Sequence, residues 1–175
     1  MNMRKEILYS HSEIMKRVKE IGEEISRDYA GLEPIFIGIL KGVIFFFADL
    51  IRSLSIPARL DFIRASSYGN SMISSGKVKL TKDIELNIKG EHVILVEDIV
   101  DTGLTLRYIF DVLKSRDPES IRICALLDKY ERRSEQISID YCGFKIESGF
   151  VVGYGIDYAE RYRHLPHIYV LKNNE

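Results

Sequence analysis

Glu97, Asp98 and Asp101 cluster at the end of an apolar run, Val93 to Val96, and the turn Thr102-Gly103-Leu104-Thr105 follows at once. The turn has the make-up of an anion grip. At a helix N-terminus, free backbone N–H groups and the Thr102 and Thr105 hydroxyls would bind a phosphate without any lysine. Carboxylates beside a phosphate repel it, so the two groups belong together only if the ligand keeps them apart. A ribose does so: acids accept hydrogen bonds from its 2′- and 3′-hydroxyls while the turn amides hold the 5′-phosphate. At a sugar's width the repulsion is modest, and the negative charge becomes useful if the sugar turns cationic during reaction. Taken alone, Asp101 or Thr102 could be a plain helix cap. Glu97 and Asp98 weigh against that, because acids at the end of a buried strand are costly unless something pairs with them.

Rival motifs fit poorly. A P-loop needs a fixed glycine spacing closed by Lys-Ser or Lys-Thr, whereas Gly69 and Gly76 lie too far apart and Lys77 precedes Val78. Gly153-Tyr154-Gly155 is half a dinucleotide fingerprint, but Tyr158 stands where its last glycine would be. Glu97 with Asp98 or Asp101 could form a glycosidase pair, which leaves the Thr-Gly-x-Thr turn without a purpose.

The elements that would position these residues read as alternating strands and helices. Ser10-His11-Ser12-Glu13 fits a capping box, and Ile14, Val18, Ile21 and Ile25 follow at helical spacing before Gly31. Pro34 to Leu40 reads as a buried strand, Lys41-Gly42 as a tight turn, and Val43 to Leu54 as an apolar helix ended before Pro57. Arg59 to Ala65 alternates like a strand. Ser66 to Gly76, dense in Ser, Gly and Asn, reads as a long mobile loop before a strand at Val78 to Lys82. His92 to Val96, Leu104 to Ser115 and Ile121 to Leu127 then predict strand, helix and strand, and Asp117-Pro118 breaks the helix. From Cys142 to Leu171, aromatic residues and glycines predict short strands and irregular turns. Such alternation implies a parallel sheet covered on both faces.

Composition narrows the classes. A chain of 175 residues suits one core, without repeats or linkers. Hydrophobic residues at 46% and charged ones at 29% describe a soluble globular protein, expected in the cytoplasm. A net charge of −1 argues against a general nucleic-acid or membrane-surface binder. The longest apolar run, Val43 to Ala48, is far short of a membrane span. Cys124 and Cys142 lack zinc spacing and read as reduced thiols.

ILVEDIVDTGLT resembles the phosphoribosyl-diphosphate (PRPP) signature of type I phosphoribosyltransferases. GILKGVIFFFADL, DFIRASSYG, ALLDK and FVVGYGIDYAERYRHLP, in that order, extend the resemblance over nearly the whole chain to the bacterial hypoxanthine-guanine branch. The resemblance implies a three-layer α/β Rossmann-like fold, with a central mainly parallel sheet and a small hood built from the N-terminal segment and the C-terminal third. It implies a single domain over residues 1–175 with a flexible loop at about 66–80.

The same resemblance implies the site roles. Glu97 and Asp98 would hold the ribose hydroxyls, and Asp101 would act as general base near N7 of the purine. Thr102, Gly103, Leu104 and Thr105 would form the phosphate loop, with Leu104 standing where many relatives carry a polar residue. Lys41-Gly42 matches the pyrophosphate loop, whose joining peptide is often cis. Ser67 and Tyr68 would sit on a closing loop. Lys129 would donate to O6 of a 6-oxopurine, Phe150 would stack on the base and the Val151 backbone would meet its pyrimidine edge. Asp157 would lie near magnesium and pyrophosphate, and Arg163 would hold pyrophosphate. Glu97, Asp98 and Asp157 are thus the expected Mg2+ ligands. Ser148-Gly149 before Phe150 departs from relatives. Without the resemblance, Lys41 and Lys129 could be solvated lysines at strand ends, and Phe150 a core residue.

The expected function is magnesium-dependent purine salvage. Hypoxanthine, and guanine with it, would react with PRPP to give IMP or GMP and pyrophosphate in a homodimer or homotetramer. A PRPP-fold regulator that senses a nucleotide while binding RNA or DNA is the alternative from another class. The balanced charge, Lys129 and the Tyr68 loop favour catalysis over it.

Overall fold

The computed structural model describes residues 3–67 and 78–173. Tyr68 and the segment expected to form most of the closing loop lie outside the described residues. In chain order the elements are β1 (Met3–Tyr9), α1 (His11–Asp28), β2 (Ile35–Ile39), α2 (Ile44–Arg52), β3 (Arg59–Ser67) and β4 (Val78–Lys82). After them come β5 (His92–Val100), α3 (Leu104–Lys114), β6 (Ser120–Lys129), β7 (Tyr141–Ile146), β8 (Phe150–Val152) and β9 (Ile168–Asn173).

The main sheet runs β4-β3-β2-β5-β6-β7, with only the β3–β4 pair antiparallel. Its central strands are buried on both faces, which is why they are nearly continuous apolar runs. Along β5, Ile94 and Val96 join the core beneath α1 and α2, while Val93 and Leu95 join the core beneath α3. Ile14, Val18, Ile21 and Ile25 of α1 and Phe46 and Leu50 of α2 cover the first face. Leu106, Ile109 and Leu113 of α3 cover the other. The Ser10 capping box is present: Glu13 N–H donates to Ser10 Oγ at 3.3 Å, and Ser10 N–H donates to Glu13 Oε2 at 2.8 Å.

A second sheet, β1-β9-β8, is wholly antiparallel and joins the first strand to the last, so chain-terminal segments form the small hood. The strand β1 is the element that residue patterning did not single out. Its partner β9 lies at the far end of the chain, with Glu6 opposite Val170, so no local spacing records the pairing.

Topology decides where a ligand can enter. Strands β2 and β5 are parallel neighbours, but β2 leads into α2 on one face and β5 into α3 on the other. Connections that leave adjacent strands in opposite directions open a crevice at the strands' carboxyl ends. Several features differ from the sequence reading. Strand β5 continues to Val100, so Glu97 and Asp98 sit inside it; β3 runs to Ser67 and β6 to Lys129; α2 spans Ile44–Arg52; and the cis peptide is Leu40–Lys41, not Lys41–Gly42.

Candidate active site

A cleft of about 380 Å³ occupies that crevice. One wall is the turn after β2, Lys41 and Gly42; another is β5 and its turn, Glu97, Asp98, Asp101, Thr102, Gly103 and Thr105. Asp157 and Arg163, from the loop after β8, close the third side. Ten of the expected residues therefore share one cavity. Leu104 opens α3 beside it. Lys129 lies at its edge through Asp101, whereas Phe150, half exposed, and Val151, buried in the hood, do not line it. Ser67 ends β3, and Tyr68 lies outside the described residues.

The helix at the turn is not capped by an acid. Gly103 is the N-cap of α3, with φ +85, no side-chain cap bond, and no acidic residue in the first turn. The nearest substitute, Leu104 N–H to Thr102 Oγ1, is 3.4 Å long. Asp101 and Thr102 thus do not fill the plain cap role, and the partial positive end of α3 faces the cleft. A left-handed backbone at Gly103 is one that a side chain resists. Gly42 is required for another reason: a Cβ there would stand 1.9 Å from Asp98 Oδ2.

Glu97 and Asp98 are buried, 9% and 8% exposed. Asp98 N–H donates to Glu97 Oε1 at 3.1 Å, and Ile99 N–H donates to Asp98 Oδ1 at 2.9 Å. Among the described residues, no Lys, Arg or His lies within ion-pair distance of either acid. Burial, followed by the neighbouring Asp98 charge, raises the Glu97 pKa well above the usual carboxylate range. Burial also raises Asp98, against a lowering from its hydrogen bonds and from Arg163. A buried acid pair with no ion-pair partner among the described residues is a site suited to donors or a cation.

Asp101, unlike the acid pair, has cations within ion-pair distance. Its Oδ2 lies 3.7 Å from Lys129 Nζ and 3.8 Å from Arg132 Nη1. Its Oδ1 is buried with no hydrogen-bond partner among the described residues. An acceptor kept out of water and unpaired there can take a proton from a ligand.

The far wall carries a cluster of ion pairs. Arg163 Nη2 lies 2.8 Å from Asp157 Oδ1, its Nη1 donates to Gly155 O at 2.8 Å, and its buried Nε has no partner among the described residues. Lys41 Nζ donates to Glu160 Oε2 at 2.6 Å. Ala159, Glu160 and Tyr162 all have positive φ, at 50, 62 and 76. Left-handed non-glycine residues are uncommon and gather at binding sites.

Sequence reasoning missed Glu160 and Arg133. Glu160 had a local signal, lying between Asp157 and Arg163, but its bond to Lys41 spans 119 positions. Arg133 had none, because its partners are mostly main-chain carbonyls at the ends of β5 and β6, described below.

The donor set fits a hard divalent cation of a particular kind. No cluster of three or more metal-ligating side chains exists among the described residues. Asp157 already spends Oδ1 on Arg163 and Oδ2 on the Glu160 N–H, 2.8 Å away. A closed protein cage is therefore absent among these residues, while paired oxygens without a counter-cation suit an ion that takes its other ligands from substrate and water.

A doubly wound sheet with an uncapped helix N-terminus, paired acids and an Arg–Lys ion-pair cluster at one crevice is an α/β architecture suited to a phosphorylated ligand. Residues 5–159 match the phosphoribosyl transferase domain, and the chain belongs to that family. A hypoxanthine-guanine phosphoribosyltransferase of Bacillus subtilis is 48% identical over 166 residues, 95% of this chain and 92% of that protein. A crystal structure of a Bacillus anthracis hypoxanthine-guanine phosphoribosyltransferase, with HEPES in its active site, superposes with a TM-score of 0.90 at 47% identity, covering 97% of this chain and 99% of that one. A Staphylococcus aureus hypoxanthine phosphoribosyltransferase superposes with a TM-score of 0.91 at 42% identity, covering 95% and 91%.

Proposed function

We propose that the protein is a purine-salvage transferase that joins hypoxanthine, and guanine with it, to PRPP, releasing pyrophosphate and IMP or GMP. The observation that carries this reading is the buried Glu97–Asp98 pair, with no ion-pair partner among the described residues, beside the uncapped N-terminus of α3. The two halves ask for a diol and a phosphate on one molecule.

In this reading the amides of Thr102 to Thr105 hold the 5′-phosphate and the acid pair accepts from the ribose diol. Purine N9 forms a bond to C1′ as the C1′–O bond breaks and the diphosphate departs with the electron pair. Negative charge at Glu97, Asp98 and Asp101 stabilises the cationic character at C1′. Asp101 Oδ1 accepts the imidazole proton of the base, which leaves the ring neutral. Lys129 donates to O6, and Phe150, with the Val151 backbone, frames the base. Lys41 and Arg163 bind the leaving diphosphate, and Ser67 and Tyr68 belong to the covering segment. Glu97, Asp98 and, once released from Arg163, Asp157 would hold Mg2+, whose chemistry is to neutralise the diphosphate. The unit of function is one phosphoribosyltransferase domain, active in the cytoplasm as a homodimer or homotetramer.

The test is a panel: PRPP and Mg2+ with hypoxanthine, guanine, xanthine or adenine, following pyrophosphate release. Turnover with hypoxanthine is expected. Pyrophosphate release with none of the 6-oxopurines would refute the reading.

A further inference from the structure

We infer that Arg133 is a positioning residue that sets the spacing of Asp101 and Lys129, and through it the recognition and deprotonation of the base. The inference rests on the proposed function and concerns a residue to which that reading gives no role.

Arg133 lies beyond β6 in an irregular segment, yet only 18% of its side chain is exposed. Its Nε donates to Asp101 O at 2.9 Å, and its Nη2 donates to Val100 O at 3.0 Å and to Lys129 O at 3.1 Å. The same Nη2 pairs with the Asp128 carboxylate. One guanidinium therefore joins the carboxyl end of β5 to that of β6, at the two residues from which Asp101 and Lys129 project. Past Val100 and Asp128 the ladder between these strands has no further pair. Beyond that point Arg133 supplies the cross-link.

The next residues carry the tie into the phosphate turn. Ser134 N–H and Glu135 N–H both donate to Thr102 O, at 3.0 and 3.1 Å. A Cβ on Gly103 would meet Glu135 Cβ at 3.2 Å and Arg133 Cδ at 3.5 Å, so the segment lies directly against the turn. Among the described residues Asp101 makes no short side-chain bond: its nearest cations there stand at 3.7 and 3.8 Å. Its carboxylate is thus aimed by its main chain, and Arg133 holds that main chain. A planar fork spans several fixed carbonyls at once; an ammonium is a point donor and does not.

The experiment compares wild type with Arg133→Lys and Asp128→Asn, measuring kcat, KM for hypoxanthine, KM for PRPP, the hypoxanthine-to-adenine ratio and the melting temperature. Misplacement by about 1 Å can lower turnover by on the order of a hundredfold. Expected for Arg133→Lys is a fall in kcat of about tenfold or more and a lowered hypoxanthine-to-adenine ratio, with KM for PRPP within about twofold. Asp128→Asn, which keeps the fork and removes its charged partner, should show the same pattern more weakly, and it carries the test if Arg133→Lys does not fold. An unchanged ratio and kcat, or a loss confined to KM for PRPP, would overturn the inference. Wild type inactive on every 6-oxopurine would instead overturn the function on which it rests.

Discussion

Lys129 Nζ stands 3.7 Å from Asp101 Oδ2, a buried ammonium on β6 facing a half-buried carboxylate just past β5. Each residue follows the last ladder pair of the two strands, Val100 with Asp128, so register brings them close and the Arg133 tie holds them there. A donor and an acceptor side by side at the cleft edge match the two edges of a 6-oxopurine, O6 and N7.

Replacing Lys129 with Met should therefore lower discrimination more than binding of PRPP. The 6-amino group of adenine is a donor that clashes with the ammonium, and a mismatched buried pair can discriminate by about 10⁴ or more. Hypoxanthine turnover should fall while the ratio over adenine narrows. Competition kinetics with both bases in one reaction gives the ratio directly, and a ratio equal to wild type would remove Lys129 from base recognition.

Asp101→Asn keeps size and hydrogen-bonding shape but cannot take a proton. Turnover should drop by about 10²–10⁴. PRPP affinity, measured by titration without base, should stay near the wild-type value because the amides of the phosphate turn are untouched. Undiminished turnover would show that another group removes the proton.

Glu97→Gln separates stability from function. The Glu97 pKa is raised by burial first and by Asp98 second, so the folded protein binds this proton more tightly than the unfolded chain. The associated stability is complete below the unfolded pKa and is lost as pH rises through the folded one. At neutral pH the ligand-free wild type thus carries a penalty, from burial first and from Asp98 second, that the neutral amide of the variant lacks. Its melting temperature should rise by about 2–4 °C for each kcal/mol relieved, while PRPP affinity falls. Melting curves between acid and neutral pH should converge at the acid end; a variant less stable than wild type at neutral pH would show the acid to be satisfied.

Gly42→Ala tests the close approach of the β2 turn to β5. A methyl group 1.9 Å from Asp98 Oδ2 must displace the carboxylate or the turn. Activity should fall by at least about tenfold, a modest displacement sufficing, and Gly42→Ser should be no better. Wild-type kcat and KM in either variant would mean that this approach does not govern the site.

The layout was legible in the sequence wherever a local rule governs it. Ser10 and Glu13 announce the first helix through reciprocal capping, and the apolar runs at Ile35–Ile39 and Val93–Val96 mark strands buried on both faces. The phosphate turn was legible because an amide-lined helix start needs a glycine able to adopt positive φ, and Gly103 stands there. The resemblance to phosphoribosyltransferases supplied what patterning does not, such as the interest of Lys129 and Asp157. The strand β1 escaped patterning, since its burial depends on a partner at the opposite end of the chain. The resemblance pointed to Lys41–Gly42 as the peptide that is often cis, whereas the structure has the cis bond at Leu40–Lys41, and nothing local separates the two.

By itself, the sequence determined which groups are present and their order along each strand: a hydrophobic period is local, and so are a cap and a glycine turn. Tertiary structure alone decided that the Lys41 turn, the acid pair and Arg163 face one cavity, because the opposite exits of β2 and β5 create that crevice. It alone decided that Arg133 clamps two strand ends and that Glu160 reaches Lys41. Such contacts join residues far apart in the chain, and their geometry comes from sheet register and packing, which no short stretch of residues encodes.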